Sequence, residues 1–249
     1  MVLRDIVGEI PLRRDEMADP VGYKRAAPGT QPAFLHEPYQ STIKRSPRQT
    51  PIALPHTLTE VTGPRFSAAA VGKDSDLTTQ HKGAPIGERM IVGGRVLDED
   101  GRPIANTLVE LWQCNATGRY NHAVDQHDAP LDPNFTGAGR CVTDAEGRYE
   151  FTTIKPGAYP WRNHYNGWRP AHLHFSVFGP AFVQRLVTQM FFPGDPLLPL
   201  DPIFNCVTDT KARDSLICAF DLERTKPEFA LGYSFDMVLR GRNATPMVG

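Results

Sequence analysis

Short β-rich runs separated by turn signals fill the chain from Glu88 to its end. Six of them are RMIVGGRVLD, ANTLVELWQCN, YEFTTI, HLHFSVFG, RLVTQMFF and GYSFDMVLRG. Many short strands with regular turn signals are typical of β-sandwiches and barrels. Proline fills 23 of 249 positions, about 9% against a usual ~5%, which disfavours a helix bundle. We therefore predict an all-β fold, either a sandwich or a barrel.

Local signals add detail to this prediction. One helix is expected within TDTKARDSLICAF, with Thr208 or Asp209 as its N-cap. The segments GRVLDEDGR (94–102) and GRCVTDAEGR (139–148) resemble each other around an Asp and Gly turn. They are either two related hairpins or a chance likeness, since Gly, Asp and Arg are common at turns.

Residues 1–85 differ from the rest of the chain. They are rich in proline and lack sustained periodicity, yet stretches such as PIALPHTL are too apolar for plain disorder. We predict an ordered, extended arm or a set of short strands that packs on a neighbour.

Charge and hydropathy exclude several classes of function. The net charge is −1, the pI is about 6.7 and there is no basic stripe, so we expect no nucleic-acid partner. The apolar runs are too short for a membrane span, and the N-terminus lacks the apolar block of a signal peptide. We expect a cytoplasmic protein whose four scattered cysteines are reduced thiols.

The sharpest local chemical signal is His172-Leu173-His174. On a strand both imidazoles project from the same face and can reach one metal ion, although a pair on a solvated face is an equally simple interpretation. The sequence has no HExxH, no paired cysteines and no carboxylate at a facial-triad spacing. The flanking segments offer Tyr120 and Tyr159, each of which alone is more often a packed aromatic.

Considered together, GRY, KPGAYPW and RPAHLHF, in this order and spacing, resemble the intradiol dioxygenases. The resemblance extends to SPRQ, LDPNF, GRC, TTIKPG and FPGDPL and so covers nearly the whole chain. It implies a β-sandwich of mixed topology, with the catalytic domain over residues 86–249. It also implies that the arm over 1–85 contributes to a subunit interface and to the substrate pocket.

The same resemblance implies a site. One iron(III) per chain would be held by Tyr120, Tyr159, His172 and His174. Tyr159 would leave the iron when substrate binds and take up a substrate proton, and Arg169 would lie over the reacting ring, so that both are catalytic. The substrate-binding residues would be Tyr39, Trp161, Arg169 and Gln189.

Substrate and partner follow from the resemblance as well. The expected reaction is cleavage of 3,4-dihydroxybenzoate (protocatechuate) by O2 to 3-carboxy-cis,cis-muconate, in the β-ketoadipate pathway of aromatic catabolism. The expected partner is a homologous α chain without iron ligands, in a hetero-oligomer of αβ units.

Three alternatives stay open. The first is a catechol 1,2-dioxygenase or hydroxyquinol dioxygenase with the same ligands, although such relatives usually carry a helical N-terminal dimerisation domain that this Pro-rich arm does not resemble. The second is an iron-free binding or partner chain, against which the complete ligand set argues. The third is a zinc hydrolase built on HLH, which would leave the two tyrosine motifs unexplained.

Overall fold

The computed structural model describes residues 26–52, 71, 74–162, 167–179 and 185–248. Much of the predicted arm, residues 1–25 and 53–70, lies outside them. The elements are α1 Ser41–Arg45, β1 Arg89–Leu97, β2 Leu108–Trp112, β3 Ala138–Val142, β4 Arg148–Ile154, β5 Tyr159–Pro160, β6 Trp168–Arg169, β7 His172–Phe178, β8 Arg185–Phe191, a 3-10 turn Leu198–Leu200, α2 Pro202–Asn205, α3 Thr210–Asp214, β9 Ala219–Phe220, β10 Leu231–Ser234 and β11 Met237–Val238.

The strands form two main sheets. In the first, β1 pairs antiparallel with β4 and parallel with both β10 and β11, while β9 adds to β10. The second is antiparallel, in the order β3-β2-β7-β8. Strands β5 and β6 form a separate two-stranded ribbon. Parallel and antiparallel pairs in one sheet confirm the mixed topology.

The core lies between the two main sheets. Phe151 and Tyr149 of β4 meet Phe175 of β7, at ring-centroid distances of 6.4 and 5.7 Å. Leu111 of β2 and Val92 of β1 belong to the same buried cluster. Apolar residues from both sheets fill one core, as in a sandwich, and the predicted all-β fold is confirmed.

The two similar segments contain the same turn. In each, an aspartate carboxylate, of Asp98 or Asp144, accepts hydrogen bonds from the backbone N–H groups two and four residues further on. A glycine at positive φ completes each turn, Gly101 at 78° and Gly147 at 70°. The likeness at 94–102 and 139–148 therefore corresponds to one local geometry used twice.

The run GYSFDMVLRG is two strands, contrary to the prediction of one. Between β10 and β11, Phe235 N–H donates to Gly93 O at 2.9 Å, and the Asp236 carboxylate accepts from Arg95 N–H at 2.7 Å. The Asp236 carboxylate here takes the place of a backbone carbonyl, and this interrupts the backbone hydrogen bonds between this segment and β1. Gly94 lies so close to the Phe235 carbonyl that a Cβ would collide with it.

The remaining local predictions concern a helix, the arm and the cysteines. The predicted helix is α3, and its N-cap is Asp209, whose carboxylate accepts from Ala212 N–H at 2.8 Å. In its described part the arm contains α1, turns and isolated bridges at Asp74 and Asp76. All four cysteines are free, as predicted. Among the described residues no helix is long and apolar enough to cross a membrane.

Candidate metal centre

Strand β7 places both histidines of HLH on the same face. His172 is 1% exposed, and its Nδ1 lies 2.7 Å from the Pro170 carbonyl, which leaves Nε2 directed away from that contact. Trp112 stands opposite His174 in the β2–β7 pairing and stacks on it, with ring centroids 4.8 Å apart and planes 8° apart. The two imidazoles therefore lie side by side, with His172 buried and His174 half-buried under the Trp112 ring.

The loop after β2 carries Tyr120. The Asn115 side-chain oxygen accepts from the N–H groups of Thr117 and Arg119 at 3.0 and 2.9 Å, which closes a tight turn. Gly118 has a φ of 81° and packs so closely on the Ala158 carbonyl that a Cβ would collide with it. This close approach brings the Tyr120 loop against the segment that carries the second tyrosine.

The β5–β6 ribbon carries Tyr159 and Arg169 as directly opposite residues. Opposite side chains on paired strands share one face and lie close together. Arg169 Nη1 is 3.2 Å from the Tyr159 hydroxyl and 3.0 Å from His172 Nε2. The register of this short ribbon thus fixes the arginine beside the tyrosine.

Four candidate donor atoms converge in this region. Tyr120 Oη lies 3.1 Å from His174 Nε2, and Tyr159 Oη lies 3.3 Å from His172 Nε2. The two tyrosine rings meet edge to face at 5.4 Å, and the two imidazoles at 4.8 Å. Donor atoms bound to one metal at about 2.0–2.2 Å are separated by roughly 3 Å. Two phenols and two imidazoles in this arrangement fit a single metal ion.

Burial controls the protonation of these groups. Burial and then the positive charge of Arg169 lower the pKa of His174 to about 3, and the same two causes hold the pKa of His172 well below its usual value. Both histidines are therefore neutral, as metal ligands must be. Burial, with the Tyr159 phenol beside it, raises the pKa of Tyr120 well above its usual value. The charge of Arg169 lowers the pKa of Tyr120 too little to offset burial, so a bound metal cation would be needed to make Tyr120 a phenolate at neutral pH.

Arg169 is 2% exposed and is held on several sides. Its Nε and Nη2 donate to the two oxygens of Asp201 at 3.2 and 2.8 Å, and Nη2 also donates to Gln189 Oε1 at 2.7 Å. Burial alone would lower the pKa of Arg169, but Tyr159 and Asp201 raise it above its usual value. The guanidinium is therefore a permanent positive charge beside the four donors.

Sequence analysis did not single out Asp201. It lies 32 residues from Arg169, directly before Pro202, and such a position predicts only the N-cap of a short helix. No spacing rule relates Asp201 to Arg169, so the ion pair between them could not be predicted from the sequence and is seen only in the folded structure.

The other predicted site residues lie around this cluster. Gln189 stands opposite His174 in the β7–β8 pairing. The Arg169 guanidinium carbon lies 5.4 Å from the centre of the Trp161 ring, and the Tyr39 ring meets Trp161 edge to face at 5.4 Å. Tyr39 thus contacts Trp161, which in turn contacts Arg169, so Tyr39 lies further from the four donor atoms than Trp161 does.

The described part of the chain contains no zinc site of the usual composition. Among the residues that the structure describes, no three His, Cys, Asp or Glu side chains lie close enough to share a metal ion. Within the described residues, HLH has no third ligand of the kind that a zinc hydrolase requires, and its neighbours there are the two tyrosines.

Comparison with known proteins places this chain in a family. A dioxygenase family model matches residues 61–241, and a model of the protocatechuate 3,4-dioxygenase beta subunit N-terminal region matches residues 23–57. A protocatechuate 3,4-dioxygenase beta chain from Burkholderia cepacia is 60% identical over 88% of this chain and 94% of its own length. A hydroxyquinol 1,2-dioxygenase from Rhizobium sp. is 35% identical over 54% of this chain and 45% of its own length.

A solved structure agrees with the sequence relatives. The catechol 1,2-dioxygenase from Pseudomonas arvilla C-1 superposes with a TM-score of 0.51 at 28% identity, over 73% of this chain and 61% of that one. Fold, site and relatives define a ring-cleaving oxygenase of aromatic catabolism. The chain belongs to the intradiol dioxygenase family, whose members are generally iron-dependent enzymes.

Proposed function

We propose that this chain is the iron(III)-bearing chain of an intradiol dioxygenase that cleaves 3,4-dihydroxybenzoate with O2 to 3-carboxy-cis,cis-muconate. The observation that carries the proposal is the convergence of Tyr120, Tyr159, His172 and His174 in one cluster. The substrate comes from the name of the Burkholderia relative, which is 60% identical.

The four residues would hold one iron(III) per chain. When bound, the ferric ion supplies Lewis acidity, which deprotonates phenols and withdraws electron density from a catecholate. Two phenol donors suit this hard, highly charged ion better than the two-histidine, one-carboxylate set that holds iron(II). The neutral imidazoles of His172 and His174 complete the donor set without adding charge.

Tyr159 and Arg169 would act on the substrate directly. The Tyr159 Oη would accept a proton from a catechol hydroxyl, and Arg169 Nη1, 3.2 Å away, would stabilise the phenolate that does so. As the electron-rich ring carbon attacks O2, negative charge moves onto the oxygen that is added to the substrate. A fixed guanidinium beside the ring stabilises that charge without having to reorganise.

Tyr39 would bind the substrate carboxylate. Its ring packs against Trp161 on one side, and the Arg45 guanidinium carbon lies 4.7 Å from its centre. A hydroxyl donor with a positive charge nearby suits an anionic group. Trp161 and Gln189 would line and support the pocket, since both contact Arg169.

The arm supports a hetero-oligomer. Phe34 is 66% exposed and Ile52 is 87% exposed, and Leu35 and Ile43 of the same segment are also exposed. Several large exposed apolar residues on one segment are typical of an interaction surface. We propose that residues 1–85 form an arm at the interface with a homologous α chain, and that residues 86–249 form the catalytic domain.

The four free cysteines fit a reducing compartment, so we propose that the enzyme is cytoplasmic.

The second candidate is a catechol or hydroxyquinol dioxygenase, because members with those substrates are also relatives of this chain. Oxygen uptake with 3,4-dihydroxybenzoate, catechol and hydroxyquinol separates the two, with the product identified by mass. We expect one O2 consumed per 3,4-dihydroxybenzoate and a product heavier by two oxygen atoms. A higher kcat/KM for catechol or hydroxyquinol would reject the proposed substrate and retain the reaction class.

A further inference from the structure

We propose that Asp201 is a positioning residue for catalysis: it holds the Arg169 guanidinium so that Nη1 faces the donor cluster. This inference rests on the proposed function, in which Arg169 stabilises charge on the reacting substrate. Asp201 lies outside the predicted ligand set and does not contact the four donors in any hydrogen bond that the structure records.

The geometry of the pair fixes the direction of the guanidinium. Asp201 uses both oxygens, one on Nε and one on Nη2, so it takes the side of the planar group that faces away from Nη1. A two-point contact of this kind sets orientation as well as distance. Nη1 is then left to face Tyr159 Oη at 3.2 Å and His172 Nε2 at 3.0 Å.

Asp201 is itself held rigidly. It is fully buried, and its Oδ1 also accepts from Ile203 N–H at 3.3 Å as the N-cap of α2. Its backbone carbonyl accepts from the Asn205 side chain at 2.8 Å. A carboxylate fixed by a helix start is a firm anchor, and a residue that orients a catalytic group typically contributes about 10- to 100-fold to activity.

A buried ion pair could instead serve stability alone, because an unpaired buried charge is costly. The two roles predict different kinetics. A positioning role lowers kcat per bound iron and leaves substrate binding nearly unchanged. A purely stabilising role lowers the melting temperature and leaves kcat per bound iron as it is.

The primary test is Asp201→Asn in the full chain, co-expressed with its partner chain if one is needed for activity. Asparagine keeps the N-cap acceptor but turns one oxygen into a donor that faces Nη2. We expect kcat per bound iron to fall about 10- to 100-fold, with iron content and the dissociation constant for 3,4-dihydroxybenzoate under anaerobic conditions within about twofold of wild type. Asp209→Asn is the matched control, because it changes the N-cap of α3 in the same way at an exposed site.

A second variant tests whether Asp201 acts by orienting Arg169 or only by compensating its charge. It also keeps the proposal testable if Asp201→Asn alone does not fold. Asp201→Asn combined with Gln189→Glu moves the compensating carboxylate to the other contact of Nη2. Gln189→Glu alone is its reference. We expect the double variant to fold and still to turn over at least about tenfold more slowly per iron than this reference.

The outcomes are distinct. Asp201→Asn at wild-type kcat per iron, or a double variant that matches its reference, would overturn the positioning role and leave the proposed function intact. A wild-type protein that binds iron but cleaves no catechol would overturn the proposed function, and the inference with it.

Discussion

Arg169 is a full positive charge inside the protein, with contacts to a carboxylate, an amide, a phenol and an imidazole. Its sequence context, WRPAHLHF, indicates a role only through the family resemblance. The structure supplies the physical reason, since the charge is desolvated and lies beside the atoms that would bind metal and substrate. Electrostatic interactions are strongest in such an environment.

Replacing Arg169 tests this role at the residue scale. Arg169→Ala removes a preorganised charge, so we expect kcat per bound iron to fall by about 10²–10³-fold. The variant also leaves Asp201 buried and unpaired, and its melting temperature should fall as well. Rates are therefore compared per iron, well below the melting temperature, with Arg102→Ala in the exposed turn after β1 as control, because the Arg102 side chain is 72% exposed. Near wild-type turnover would remove Arg169 from the mechanism.

The buried histidines predict a pH dependence of stability. The pKa of His174 is lowered to about 3 and that of His172 lies well below its usual value, so the unfolded chain binds protons that the folded chain excludes. The free energy of unfolding should therefore fall as the pH drops below about 6.5, by up to ~1.4 kcal/mol per pH unit for each histidine.

Urea unfolding of the iron-free protein between about pH 6.5 and 5 measures this slope. The control is the His172→Gln, His174→Gln double variant, which should show a flatter dependence over the same range. Equal slopes in the two proteins would show that these histidines are not buried in the neutral form.

At the scale of elements, the sequence predicted the longer strands, because each contains a β-rich run bounded by turn residues. The runs around β1, β2, β4, β7 and β8 were identified, and so was helix α3 with its cap. Three of the four two-residue strands, β5, β6 and β9, were not, because two residues carry no periodicity; the fourth, β11, lies within the predicted run GYSFDMVLRG. Yet β5 and β6 bring Tyr159 and Arg169 together, which only the family motif indicated.

The segment around α1 carries Tyr39, and its role is tested by substrate choice. If the Tyr39 hydroxyl binds the carboxylate, Tyr39→Phe loses a hydrogen bond to a charged group, worth roughly 1.5–3 kcal/mol. The variant should then bind 3,4-dihydroxybenzoate about ten- to a hundredfold more weakly. Binding of plain catechol should not change, and equal losses for both ligands would contradict a carboxylate-specific role.

At the scale of the whole molecule, sheet order and long-range pairs could not be predicted from local patterns. The parallel pairing of β1 with β10 and β11 joins the first strand of the sandwich to its last two. The pairing of Asp201 with Arg169 is likewise a product of tertiary structure. The closeness of His172 and His174 was predictable because they share a strand face, whereas the closeness of the two tyrosines to them was predictable only from the family motifs.

The partner chain is a prediction at this scale. The exposed apolar residues of the arm should need a covering surface, so the chain expressed alone should be poorly soluble or show little ring cleavage. Co-expression with a homologous α chain should restore solubility and activity, as measured by size-exclusion chromatography and oxygen uptake. A soluble, fully active homo-oligomer would contradict the hetero-oligomer and favour a single-chain catechol dioxygenase.

Iron content together with the visible spectrum tests the central claim most directly. Phenolates bound to iron(III) absorb visible light, so the purified protein should be red-brown with one iron per chain, and anaerobic 3,4-dihydroxybenzoate should shift the band. Tyr120→Phe should weaken or shift the band by removing one phenolate, while His174→Ala should lose most of the iron. A colourless protein, or a Tyr120→Phe variant with full iron and an unchanged spectrum, would contradict the assignment of a tyrosinate iron(III) centre.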